Sequence, residues 1–250
     1  MKDWNGQEVE VITSKGGVIA LVNPYDNLIS TGISPWPPSE IVQKLYKSLR
    51  IKAYPEAQGE RARDFLGYYS DLQSIHSEDA MTWSAFGTVA KAPQETRNRW
   101  VKEFLEVIGV KAHPVDHSEI FLWRRIPHPD TLVPGGPEID FGIHTEKVII
   151  LGEAKWLSPV DTGQGKDKKK NQIELRTQFL NKYGRKLYPS VEEMVVLGVG
   201  LKGDIVETYK DGAVQRIGIT WDEVCNIESH PLAAELRRYL AWKKGHSKLD

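Results

Sequence analysis

Apolar positions along this 250-residue chain switch between a period of two and a period near 3.6, and the switches mark its elements. Residues 8–13 and 18–22 alternate as short strands around Ser14-Lys15-Gly16-Gly17, a hairpin signal. Ser34-Pro35-Trp36-Pro37-Pro38 reads as a stiff linker. Ser39 suits the cap of a helix reaching about Leu49, with Ile41, Val42, Leu45, Tyr46 and Leu49 on one face. A helix is expected over 60–72. Residues 95–108 predict an amphipathic helix, with Trp100, Phe104, Leu105 and Ile108 inward and Gly109 as its stop. Residues 119–124 and 193–201 read as strands, 170–182 and 232–243 as helices. Asp211-Gly212 marks a hairpin between 205–209 and 213–219.

The most informative break in this pattern is acidic. Pro137-Glu138-Ile139-Asp140 opens a strand, and a second strand, Val148 to Leu151, runs into Glu153-Ala154-Lys155. Glu and Lys are almost never fully buried without partners, so their place at the end of an apolar strand needs a cause. Side chains alternate along a strand. Ile139, Phe141 and Ile143 then share one face, and Glu138, Asp140, Gly142 and His144 the other. Glu153 and Lys155 share a face opposite Gly152, Ala154 and Trp156. A hairpin turning near Glu146 sets Asp140 across from Gly152, one step from Glu153. Two carboxylates at that spacing repel unless a cation lies between them, and oxygen ligands suit Mg²⁺, with Mn²⁺ as a substitute.

This arrangement resembles the PD-(D/E)XK nuclease superfamily over roughly residues 77–200. The resemblance implies that Asp140 and Glu153 ligate Mg²⁺, with the Ala154 carbonyl as a further ligand and Lys155 as the catalytic lysine. Glu138, next to the proline, is the alternative first ligand. Ser77-Glu78-Asp79 opens a helix of the kind that in this superfamily carries an acid facing the metal, and Glu78 is preferred to Asp79. Gln172 matches the glutamine that supports the site in several relatives; Arg176 stands one turn on, where a tyrosine is typical.

The charge balance, 33 Lys and Arg against 34 Asp and Glu, says little, but its distribution is uneven. Between Gln164 and Lys186 eight positive residues face two negative ones. Lys166, Lys168, Lys169 and Lys170 in a Gly- and Lys-rich loop, followed by Arg176, are therefore expected to contact nucleic-acid phosphates. The histidines carry no metal-ligand pattern: Pro114 opposes a helical pairing of His113 with His117. The single cysteine, Cys225, excludes a disulfide framework, and no apolar run approaches a membrane span. A soluble, cytoplasmic protein with no membrane partner is the expectation.

Together these readings predict an α/β fold with a restriction-endonuclease-like core, a central mixed β-sheet flanked by helices. Residues 57–250 are expected to form that core, and 1–56 an N-terminal hairpin-and-helix elaboration. The expected activity is Mg²⁺-dependent hydrolysis of phosphodiester bonds, with DNA as partner and an endonuclease favoured. A non-cleaving binding module on the same fold is the alternative. The partly apolar C-terminal helix leaves a homodimer, or a place in a larger DNA-processing assembly, open.

Overall fold

The structure, a computed structural model, describes residues 1–13, 17–48, 70–130, 136–158, 162–164 and 170–247. Strands β1 (Val11–Thr13) and β2 (Ile19–Leu21) pair antiparallel, as their alternation predicts; Ser14, Lys15 and Gly16 of the turn lie outside the described residues. Helix α1 (Ser39–Ser48) buries Ile41 but leaves Tyr46 73 % exposed, so its inward face is narrower than expected. Leu49, most of the 60–72 segment and the 56/57 boundary lie outside the described residues; Asp71–Gln73 is a single 3-10 turn. Trp36 is no free linker residue: its ring packs 6.1 Å from that of Trp83.

Helix α2 begins at Glu78–Thr82 and continues through a π turn, Trp83–Gly87, into Thr88–Ala90. Ser77 caps it, its hydroxyl accepting from the Ala80 N–H at 3.1 Å. Helix α3 (Gln94–Val107) follows the sequence reading closely. Trp100, Phe104, Leu105 and Ile108 are buried, and Gly109 stops the helix at φ +69° while Val110 N–H bonds back to the Leu105 carbonyl. Strands β3 (Ser118–Arg125), β4 (Glu138–Thr145) and β5 (Val148–Ala154) come next. A small pair, β6 (Thr162–Gln164) with β7 (Lys170–Asn171), precedes helix α4 (Gln172–Phe179), which runs on through a π turn to Leu187. β8 (Glu193–Gly200), β9 (Tyr209–Asp211), β10 (Val214–Thr220), α5 (Trp221–Cys225) and α6 (Ala233–His246) complete the order. The expected 205–209 strand shrinks to β9, because Ile205 and Val206 instead cover Gly198 and Gly200.

The main sheet has six strands in the order β3-β4-β5-β8-β10-β9. β5, β8 and β10 run parallel; the remaining pairs are antiparallel. The α/β class with a mixed central sheet flanked by helices is thus as the sequence predicts. One face packs on α1, α2, α3, α5 and α6 and the other on α4, which is why β5 and β8 are apolar on both sides. Leu28, Ile29 and Ile41 sit in the larger core, Trp83 donates its indole N–H to the Ile29 carbonyl, and Tyr239 donates to that of Asn27. The N-terminal residues therefore share this core.

The hairpin register differs by one residue from the expectation. Phe141 pairs with Gly152, which puts Glu153, and not Gly152, opposite Asp140. The reason is a two-residue connection, Glu146-Lys147, between Thr145 and Val148. Gly152 is required here: a Cβ would lie 2.2 Å from the Phe141 ring, which stacks on Phe86 at 3.8 Å between centroids. A second difference lies beside it. Pairing of β3 with β4 lapses at Trp123, which takes φ +52°. Past this point the faces exchange: Trp123 joins the larger core, and Ile139 joins the α4 side, away from Phe141 and Ile143.

Candidate metal centre

The C-terminal end of β5 emerges between the first turn of α2 and the start of α4, and each element delivers charge to that point. Alternation sends Ala154 and Trp156 into the larger core and Glu153 to the α4 side, where it is fully buried. Lys155 follows the strand; its N–H donates to the Val199 carbonyl and its own carbonyl accepts from the Trp221 indole at 2.8 Å. Its backbone is pinned on both sides, and its ammonium lies 2.9 Å from Glu153 Oε1 and 3.3 Å from Glu78 Oε2. Glu78 is held in turn by the Trp156 N–H at 3.2 Å and by the Ser158 hydroxyl. Glu78 thus stands beside Lys155, whereas Asp79 pairs with Lys44. Asp140 accepts from the Ala154 N–H at 2.7 Å, which places its carboxylate across the strand gap from Glu153.

Arg176 departs from its expected role. Its side chain is fully buried, ion-paired through Nη2 with Glu153 Oε2, and it donates to the Glu138 carbonyl at 2.8 Å. It is an internal counter-ion of Glu153 and not a group presented to a phosphate backbone. Gln172 supports it, accepting from Arg176 Nη2 at 3.2 Å, and so reaches Glu153 only through the arginine. Lys170 ion-pairs with Asp130 at 3.1 Å and contacts Gln178 at 3.0 Å, in a groove shared with Lys182 and Asn181. Lys166, Lys168 and Lys169 lie outside the described residues.

A second ion-pair set was not legible in the chain. Lys44 of α1 bridges Asp79 Oδ1 at 3.0 Å and Glu138 Oε1 at 2.7 Å. Lys47 and Arg125 reach Glu138 from its exposed rim at 3.6 and 3.9 Å. Glu138, the alternative first ligand, is thus turned toward Lys44. Nothing in the local pattern of α1 marks Lys44 apart from its other polar residues.

Five carboxylates, Glu78, Asp79, Glu138, Asp140 and Glu153, therefore meet three inner cations, Lys44, Lys155 and Arg176. Lys47 and Arg125 add two further cations at the exposed rim of Glu138. Burial, then the like charge of Glu153, pushes the Asp140 carboxyl well above the usual carboxylate range, with Arg176 opposing in part. Burial disfavours the charged form of Lys155, but Glu153, Glu78 and Asp140 outweigh it and hold the ammonium protonated. Both carboxylate oxygens of Glu153 are buried and complete no well-aligned hydrogen bond, although a cation stands near each. Buried acceptors left in that state are costly. The donor set fits a hard, oxygen-preferring cation. Among the described residues no three His, Cys, Asp or Glu side chains converge on one metal-sized point, so Asp140 and Glu153 would share such an ion with backbone oxygen and water.

No family model, curated protein or solved structure matches this chain. Among the described residues no helix is long and apolar enough to cross a membrane.

Proposed function

We propose that this protein is a metal-dependent nuclease that hydrolyses phosphodiester bonds, with DNA favoured over RNA and internal cleavage over end-resection. The sheet would then be a restriction-endonuclease-like core carrying a PD-(D/E)XK centre. The observation that carries the reading is the union of Asp140 and Glu153 at adjacent strand ends with the Lys155 ammonium 2.9 Å from Glu153. Mg²⁺ held by Asp140 and Glu153 would polarise a phosphate oxygen and acidify a bound water. The protein's own groups do the rest. Lys155, kept protonated by its acidic neighbours, is suited to neutralising charge that develops on the phosphate and is unsuited to taking a proton. Glu78 fixes the direction of that ammonium and is itself fixed by backbone and hydroxyl donors. Arg176 pairs with Glu153 Oε2 while Lys155 stands at Oε1, so the carboxylate is oriented from both of its oxygens.

The Lys155 and Arg176 pairs to Glu153 also favour a second reading, a nucleic-acid-binding module whose site is already partly neutralised and does not cut. A cleavage assay decides between them. Linear, circular, single-stranded and branched DNA would be incubated with Mg²⁺, with EDTA, and with the Asp140→Asn and Glu153→Gln variants. Cleavage that needs Mg²⁺ and both acids supports the nuclease. Gel-shift binding of DNA with every substrate left intact supports the module instead.

A further inference from the structure

We propose that Lys243 and Ser247, at the end of α6, are positioning residues of this centre: they fix Trp156 and the entry to α2, and through these two they hold Glu78 against the Lys155 ammonium. This rests on the nuclease reading above and adds the C-terminal helix to the site. Glu78 Oε2 stands 3.3 Å from the Lys155 ammonium, and its Oε1 accepts from the Trp156 N–H at 3.2 Å. The direction of the ammonium therefore depends on two placements. One is that of the first turn of α2, which carries Glu78; the other is that of Trp156, which follows Lys155 on the chain.

Both placements lead to α6. The Trp156 indole donates to the Ser247 hydroxyl at 2.8 Å, and the Lys243 ammonium lies 5.0 Å from the centre of the same ring. Lys243 Nζ also donates to the carbonyl of Ile75, two residues before Ser77, the cap of α2. The Ile75 N–H is bonded to the Ile19 carbonyl, so that segment is tied on its other side to β2. Tyr239, one turn back on α6, borders the ammonium at 5.9 Å and is itself fixed by the Asn27 carbonyl. Lys243 thus joins the end of β5 to the entry of α2. It is fully buried, and among the described residues it pairs with no carboxylate; Glu78 is the acid whose field favours its charge. Lysine is almost never fully buried without a partner, so its place at this junction needs a cause. An apolar side chain of the same length would fill the space without that cost, but it would leave the Ile75 carbonyl and the entry to α2 untied. Groups that orient the residues in contact with a metal or substrate in this way are worth about 10–100-fold in activity.

The test compares wild type with Lys243→Met, Ser247→Ala and Leu236→Ala, the last a fully buried position on the same helix nearer its start. Two quantities are read well below each melting midpoint. One is kcat and KM for Mg²⁺-dependent DNA cleavage. The other is hydrogen exchange of the backbone amides in protein carrying ¹⁵N in its eight tryptophans, with the Trp156 signal assigned from Trp156→Phe. The exchange rate of the Trp156 amide, which Glu78 accepts, is divided by that of the Trp100 amide in α3. Lys243→Met and Ser247→Ala should lower kcat about 10–100-fold with KM unchanged, because Lys155 acts on charge that develops in the transition state. Both should raise the exchange ratio about tenfold, a local opening and not a global one. Leu236→Ala should lower the melting midpoint but leave kcat and the ratio as in wild type. Wild-type kcat and ratio in Lys243→Met and Ser247→Ala would overturn the proposal and leave the nuclease reading standing. So would an equal fall of kcat in Leu236→Ala, because the role of α6 would then be structural alone. Should Lys243→Met not fold, Ser247→Ala carries both measurements. A wild type that cuts no DNA overturns the nuclease reading, and the exchange ratio then decides by itself whether the end of α6 holds the Glu78 contact.

Discussion

Lys243 offers the sharpest physical test of the surroundings of the site. It lies on α6, fully buried, with its ammonium 5.0 Å from the centre of the Trp156 ring and its Nζ donating to the Ile75 carbonyl. Trp156 is the residue whose N–H holds Glu78, and its indole is fastened to the Ser247 hydroxyl at 2.8 Å. Burial, opposed only by Glu78, pushes the Lys243 amine down from 10.5 to about 7. The unfolded chain therefore binds a proton that the folded protein releases between those values, so stability falls as pH drops from 10.5 toward 7. At about 1.4 kcal/mol per pH unit the penalty reaches roughly 5 kcal/mol near pH 7. Lys243→Met removes it and keeps the volume, but leaves the Ile75 carbonyl without its donor, a loss of about 1–3 kcal/mol. The net expectation at pH 7 is a stabilisation of about 3 kcal/mol, roughly 6–12 °C in Tm for a chain of this size. By pH 9.5 the advantage should shrink by about 3 kcal/mol. Guanidinium denaturation of both proteins at pH 7, 8 and 9.5, read by tryptophan fluorescence, measures this directly. A stability difference that does not change with pH would refute the argument, because it would mean that Lys243 stays charged in its site.

Other consequences follow from the same geometry. His230 is buried between α2 and the chain before α6, and burial pushes it down to about 4, so about 3 kcal/mol of stability should be lost as pH falls from 6.5 to 4; an acid denaturation series on His230→Gln should lack that slope. Arg176→Leu leaves Glu153 buried beside Lys155 alone and should cost about 3–5 kcal/mol, measured by urea denaturation, with most of the loss recovered when Glu153→Gln is added. Lys155→Ala should abolish Mg²⁺-dependent cleavage but, because Lys155 pairs with two acids, should also lower Tm in EDTA and regain part of it in Mg²⁺. Changing Lys166, Lys168 and Lys169 to Ala should lower the slope of log K against log salt for duplex DNA by up to about 2.7, at about 0.9 per phosphate contact; an unchanged slope would make that loop a solvated charge run.

How far the chain could be read from its order alone follows the range of the forces involved. Local period and capping were enough for α3, where four apolar side chains and Gly109 behave as expected, and for Ser77 at the head of α2. The apolar run into Glu153 and Lys155 was equally informative, because charge at the end of a buried strand demands a partner. The one-residue error in register came from a turn length that alternation does not specify. The switch of faces at Trp123 came from a backbone conformation that no side-chain pattern announces. Arg176 and Lys44 show the larger limit. Both are ordinary polar residues on helices, and by period alone both face solvent. What decided their places was the uncompensated charge of acids brought in from β4, β5 and α2. Sequence determined which acids exist and the strands that carry them; only the tertiary structure decided which cation each one faces, because buried charges are paired across distances in the chain that local pattern cannot span.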